Sequence, residues 1–475
     1  MRSDTGTSRE GDDPTSGVAL LTLLCVAQFV AVFDINVVIV ALPAIARALS
    51  FSQADLQWIV SAYVLFFAGF LLLAGRMADL YGRRRMFMAG LATFAAASLA
   101  CGLAESPGVL LTARAAQGLG AATMAPAALS IITTSFGGKG RNLALGVWTA
   151  VAAGGGAAGL VLGGVITDGL GWEWIFLVNV PIGIGALILS PLVLTRDSDR
   201  EQPGQVDVLG GVLGTAGLAL LVYGLTRIEP SGSTLPVAGL LVIAAALLAA
   251  FLLTEARVRN PLVPLRMFRS RNLVGSNLVS FTLTAVTSPT SVLGVIYVQT
   301  VLDFSPTRAG FVQLPFSLLV VGGSFIGSKL INRAGTRPAM ACGLLIVGVA
   351  QIVMTRISAG SGVSYVVAGA ALAGLGLGCA SVASTSRGTS ASDRADQGLA
   401  SGLLNVFAQI GTALGLAVFL AVAALGTEAA ETTGERALVD GYRLAFLLAA
   451  CSAIAVVFVP IALVRDEQDP DSPAI

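Results

Sequence analysis

Two ionisable side chains stand inside long apolar stretches: Asp34, in Phe33-Asp34-Ile35-Asn36, and Arg114, in Arg114-Ala115-Ala116-Gln117. Charges in such surroundings are expensive to keep, and those that are kept usually have a task or a partner. Burial disfavours a carboxylate and a neighbouring cation favours it, so an acid beside an arginine can gain and lose a proton as its surroundings change. The competing reading is a permanent ion pair that only bridges helices. Other chemistry has little to work with. The chain has no histidine, which removes the commonest general base and metal ligand. Its five cysteines, Cys25, Cys101, Cys342, Cys379 and Cys451, fall singly in apolar stretches and read as free thiols packed in place, and no metal or cofactor is expected. Gly137-Gly138-Lys139-Gly140 lacks the spacing of a nucleotide-binding loop, so the chain is not its own ATP-driven machine.

The elements that must hold Asp34 and Arg114 follow from composition. Of 475 residues, 55% are hydrophobic and 12% charged, against about 25% charged in soluble domains. Apolar runs of roughly 20 residues, long enough to cross a bilayer as helices, recur from end to end. Read between charged punctuation they give fourteen spans, near 18–41, 56–74, 86–104, 109–132, 143–167, 174–194, 207–226, 235–254, 273–298, 309–328, 339–355, 363–385, 398–424 and 443–464. With a cytoplasmic N-terminus, 21 of the 28 Lys and Arg fall on the inner side and six on the outer, and Arg114 lies within a span. This bias predicts an even number of spans with both termini inside. Met1–Ser16 is polar and does not resemble a cleavable signal. All loops are short, which leaves no soluble domain for catalysis. The net charge of +1 gives no reason to expect nucleic acid.

The predicted organisation is a cytoplasmic tail (1–17), a six-helix bundle (18–194), two inserted helices (207–254), a cytoplasmic linker (255–272) that can lie on the membrane surface, a second six-helix bundle (273–464) and a cytoplasmic tail (465–475). Gly75 to Arg84 after the second span is echoed by Gly327 to Arg337 after the tenth, which points to duplication.

Gly75-Arg76-Met77-Ala78-Asp79-Leu80-Tyr81-Gly82-Arg83-Arg84-Arg85 resembles the signature loop between helices two and three of the major facilitator superfamily. Arg114 through Ala122 resembles the fourth-helix motif of its proton-coupled exporters, and Phe33 through Pro43 the first-helix motif of its fourteen-helix drug:proton antiporters. Trp172-Glu173-Trp174-Ile175-Phe176, Asn179-Val180-Pro181-Ile182-Gly183, Asn260 to Leu265, Tyr297 with Gln299, and Gly398 through Gly415 are similar to that branch as well. Three features depart from it. Gly159 is followed by Leu160 where the antiporter motif of helix five has proline, Asn332 stands in the second loop copy where the acid is expected, and Glu173 replaces an arginine.

The resemblance implies an all-α integral membrane protein of fourteen helices, two six-helix bundles plus two inserted helices. It implies proton coupling by Asp34 and Arg114, a conformational-switch loop at Gly75, Asp79, Gly82, Arg83 and Arg84, and a glycine motif at Gly155, Gly159, Gly163 and Gly164. Phe33, Asn36, Gln117, Gln299, Asn405 and Gln409 are candidates to line a substrate cavity. The expected activity is export of a small amphipathic drug or antibiotic in exchange for protons, by alternating access, from a monomer in a bacterial inner membrane. The alternative is a facilitative or uptake permease of the same fold. An intramembrane enzyme or channel is disfavoured by the lack of histidine, clustered acids and charge rings.

Overall fold

A computed structural model describes residues 14–52, 55–136, 138–194, 207–227, 234–258, 261–263, 265–358, 360, 362–390, 397–430 and 433–464. Sixteen α-helices follow one another with no strand among these residues: α1 (Pro14–Ala48), α2 (Trp58–Tyr81), α3 (Arg83–Gly102), α4 (Pro107–Ser135), α5 (Gly138–Gly169), α6 (Trp174–Leu177), α7 (Asn179–Val193), α8 (Val208–Thr226), α9 (Thr234–Arg257), α10 (Arg271–Thr300), α11 (Pro306–Ala334), α12 (Thr336–Met354), α13 (Ser364–Ser390), α14 (Gln397–Glu428), α15 (Glu435–Val456) and α16 (Phe458–Leu463). Thirteen stretches of the described residues are helical, long and apolar enough to cross a membrane, and α2 adds the apolar stretch Trp58–Leu71 within a helix of 24 residues.

Two spans are each built from two helices, and proline explains both breaks. Pro181 has no N–H for the carbonyl of Leu177, where α6 stops, and Pro460 has none for that of Val456, where α15 stops. Elsewhere the helices outrun the apolar windows: α1 continues past Pro43 to Ala48, and α9 runs to Arg257 into the expected linker, which holds a 3-10 turn over Leu265–Arg269. The charged stretch after the second span is not a loop. Gly75 to Tyr81 completes α2, Arg83 opens α3, and the reversal is made by Gly82 alone, at φ 101°. Gly335, at φ 93°, makes the same one-residue turn between α11 and α12. Both need a conformation that side chains resist.

Helices pair in one pattern twice. α1 packs on α5 as α10 does on α14, α2 on α4 as α11 on α13, and α3 on α4 as α12 on α13. The closest approaches repeat too: a methyl group on Gly90 would lie 2.7 Å from the carbonyl oxygen of Gly120, and one on Gly343 would lie 2.7 Å from that of Gly376. The halves meet through α5 with α11, α2 with α14 and α1 with α10, and α8 bridges α2 and α14. Small residues let these backbones approach closely where apolar burial gives no drive between helices in lipid.

Candidate functional site

Asp34 and Arg114 come together. Both side chains are fully buried, and Arg114 Nη1 donates to Asp34 Oδ2 in an ion pair. Sequence spacing places Gln117 one turn beyond Arg114 on the same face of α4, and its amide donates to Asp34 Oδ1 at 3.1 Å and to Ser98 Oγ of α3 at 2.8 Å. The break after Leu177 sets Asn179 at the start of α7, where its amide donates to Asp34 Oδ1 at 2.9 Å. One carboxylate thus receives donors from three side chains on two helices.

Arg114 is held as firmly. Its Nε donates to the Ile59 carbonyl of α2 at 2.8 Å, and Nη1 also reaches Gln117 Oε1 at 2.9 Å. The guanidinium lies 4.6 Å from the centroid of the Tyr63 ring and 5.7 Å from that of Phe176, within range of cation–π attraction. The Cys101 thiol donates to Gln117 Oε1 at 3.2 Å. Arg114 Nη2 is buried with no hydrogen-bond partner, an unused donor in a charged cluster. Asp34 on α1, Ile59 on α2, Ser98 on α3, Arg114 on α4 and Asn179 on α7 therefore join five helices at one polar centre within apolar surroundings. A change in the charge of Asp34 reaches all of them. Asn179, Ser98, Cys101, Tyr63 and Phe176 are members that sequence reasoning did not single out as a site.

The glycine motif of α5 lies along α1. A methyl on Gly155 would lie 3.0 Å from the Phe29 oxygen, one on Gly159 would lie 2.7 Å from the Phe33 oxygen, and one on Gly163 would lie 3.0 Å from the Val37 oxygen. Matched four-residue steps in the same chain direction make this a parallel seam carrying Asp34 between its contacts. Gly164 faces the other half, with a methyl there 2.8 Å from the carbonyl carbon of Pro306.

The remaining candidates are scattered. Phe33 is buried and stacks on Phe29, with ring centroids 5.7 Å apart. Asn36 turns its amide back to the Val32 oxygen at 2.8 Å, and Gln117 belongs to the buried cluster. Gln299 donates to the Val40 oxygen at 2.8 Å, tying α10 to α1, while Asn405 and Gln409 are exposed and half-buried on α14. Gly75 makes an ordinary contact with Pro126 of α4, at 3.7 Å for an added methyl, and Arg84 reaches the Pro191 oxygen at 3.3 Å. Arg83 is half-buried at the start of α3, and the side chain of Asp79 lies outside the described residues. Two surface cavities, of about 430 Å³ beside Asp55, Trp58, Tyr223 and Arg227 and of about 550 Å³ beside Arg356, Tyr365 and Arg443, are lined by none of the candidate residues.

The family model described as Major Facilitator Superfamily matches residues 24–416 and 273–474. Among curated proteins, the cephamycin export protein of Amycolatopsis lactamdurans is 40% identical over 90% of this chain and 90% of its own length. The puromycin resistance protein of Streptomyces alboniger is 36% identical over 96% of this chain and 92% of its own length. Among solved structures, a bacterial homologue of a human lysosomal transporter, inward-facing and unoccupied, aligns over 97% of this chain and all of its own, with a TM-score of 0.67 at 19% identity. At that identity the likeness speaks for the fold.

Proposed function

The chain belongs to the Major Facilitator Superfamily, a family of multi-pass membrane transporters, and on that premise we propose that it exports a small amphipathic antibiotic or drug in exchange for protons, with Asp34 as the proton carrier. The observation that carries this reading is the buried Asp34 carboxylate, held by Arg114, Gln117 and Asn179 at the meeting point of the helices of one half. Protonation removes the charge on which those donors converge and leaves Arg114 without its counter-ion. Breaking a buried pair from one side is strongly destabilising, about 3–5 kcal/mol, so proton uptake favours a rearrangement of the helices that hold it.

The rearrangement is alternating access between two six-helix bundles. In this structure the halves are tied at one end of the bundle. Asp168 at the end of α5 accepts the Thr307 N–H at the start of α11 at 2.9 Å, and Gln299 of α10 reaches Val40 of α1. These ties break when that end opens, and the α1–α5 seam and the glycine turns at Gly82 and Gly335 let the bundles move as units. The distribution of arginine supports placing that end outside and both termini in the cytoplasm of a bacterial inner membrane, in a protein that works as a monomer. An inward gradient of about 60 mV supplies about 1.4 kcal/mol per proton.

The similar exporters and resistance proteins are named for cephamycin, puromycin, tetracenomycin C and lincomycin, which supports an antibiotic-sized cargo without selecting one. The test uses protein reconstituted in vesicles loaded with a pH-sensitive dye. Addition of a transported compound is expected to move protons in a fixed ratio to it. Compound movement with no proton movement would leave the permease reading in its place.

A further inference from the structure

The second half repeats the first closely enough to be matched residue by residue. Among the described residues, Ser50 and Asp303 are the two besides glycine at positive φ, 54° and 53°, and they hold the same place after α1 and after α10. A methyl on Gly118 of α4 would lie 2.3 Å from the Tyr63 oxygen of α2, and one on Gly374 of α13 would lie 2.1 Å from the Phe316 oxygen of α11. The approaches of Gly155 and Gly159 to the Phe29 and Phe33 oxygens recur as those of Gly411 and Gly415 to the Phe281 and Ala285 oxygens. Counted from these anchors and from the Gly90–Gly343 pair, Val286 stands where Asp34 does, Ala370 where Arg114 does, Ala373 where Gln117 does and Gln351 where Ser98 does. All four are buried. The polar contacts nearby are neutral: Thr290 Oγ1 donates to Gln351 Oε1 and Gln313 Nε2 to the Ser291 oxygen, both at 2.9 Å. The second half keeps the packing of the first without its charges.

The other acids of the helices lie at helix ends. Asp79 is in the last turn of α2, Asp168 in that of α5, Glu255 in that of α9 and Glu428 in that of α14, while Asp207 caps α8 and Glu435 and Asp440 fall in the first two turns of α15. An acid at one face of the membrane exchanges protons with the side it faces. This holds for Asp207 and Glu255 too, although both are buried, because they sit at the same end of the α8–α9 pair. Asp34, in the middle of α1, is placed to be presented to both sides in turn, and its counterpart in the second half is a valine.

Resting on the antiport reading above, we infer that the chain exchanges one proton per cargo molecule, bound by the first half alone, and that its cargo is neutral or singly charged. Each cycle then carries one positive charge inward. A neutral cargo leaves that charge uncompensated, so the pH gradient and the membrane potential both drive export. A singly charged cation cancels it, and the pH gradient alone drives export. A doubly charged cation would have to leave against the potential with only the pH gradient behind it.

The test uses the full chain in vesicles loaded with a pH-sensitive dye. The probes are chloramphenicol, which is neutral, ethidium and tetraphenylphosphonium, which carry one charge, and pentamidine, which carries two. For ethidium or tetraphenylphosphonium, the concentration gradient that just stops net proton flow is expected to be about tenfold for a pH difference of one unit. A potassium potential imposed with valinomycin is expected to leave that balance unchanged, and to raise the balance for chloramphenicol when it is negative inside. Pentamidine is expected to show no export when potential and pH gradient are of equal size. A balance of about a hundredfold for a singly charged probe, a shift of that balance with potential, or export of pentamidine under those conditions overturns the one-proton assignment and leaves antiport standing. Proton movement that persists in Asp34→Asn overturns it by revealing a second carrier. Proton movement with none of the four probes overturns it together with the antiport reading.

Discussion

Asn179 donates its side-chain amide to Asp34 Oδ1 at 2.9 Å across 145 residues of sequence, which places the first residue of α7 on the acid of α1. A neutral amide here keeps a buried carboxylate company without adding charge. Asn179→Ala is expected to cost about 1–3 kcal/mol, the range for stranding a buried acceptor, and to slow proton-coupled export. The melting temperature and the pH profile of transport check it together: a structural contact alone would lower the first and leave the second in place.

The seam between α1 and α5 depends on absent side chains. In Gly159→Val, the new Cβ meets the Phe33 carbonyl oxygen at 2.7 Å and the Val37 nitrogen at 3.1 Å, both backbone atoms. Overpacking of this kind costs about 1–3 kcal/mol, and export is expected to fall with it. Gly154 meets nothing within 4 Å, so Gly154→Ala should leave melting and transport unchanged. Similar losses in both variants would mean the seam is not the constraint.

At the end where the halves are tied, Asp168 receives the N–H of Thr307 in the first turn of α11, where the positive end of the helix dipole favours an acid. The pair is exposed, so Asp168→Ala should remove about 0.5–1.5 kcal/mol from the closed state of that end, a shift of roughly 2- to 12-fold toward opening. Spin labels at exposed Leu170 and Arg308 would report it as a larger fraction of long distances. An unchanged distribution would show that Gln299 and the glycine contacts close this end without Asp168.

Asp34 and Arg114 were legible because charge inside an apolar run is costly and therefore conspicuous. Asn179 stands in a motif of the sequence but does not declare itself a site residue, since a neutral amide carries no such signal. The available clue was Pro181, which stops α6 at Leu177 and frees the next residues to turn inward. Gln117 stands three residues after Arg114, so helical spacing already put it on the face of the ion pair, although it reads as a cavity residue by type. Gly75 to Arg85 read as a loop because charges punctuate apolar runs. Helices that leave the apolar layer keep their hydrogen bonds, so α2 and α3 run on until Gly82 alone turns the chain.

The central claim is that Asp34 carries the proton, and the direct measurement is accumulation of an antibiotic and dye panel in a pump-deficient bacterium. Cells express wild type or Asp34→Asn at matched membrane levels, with and without a protonophore. The substitution nearly preserves shape and removes titration. Wild type is expected to lower accumulation of at least one compound, the protonophore to cancel that effect, and Asp34→Asn to accumulate as the empty strain does. Export by Asp34→Asn equal to wild type, still cancelled by the protonophore, would contradict the account and make the Asp34–Arg114 pair a structural bridge.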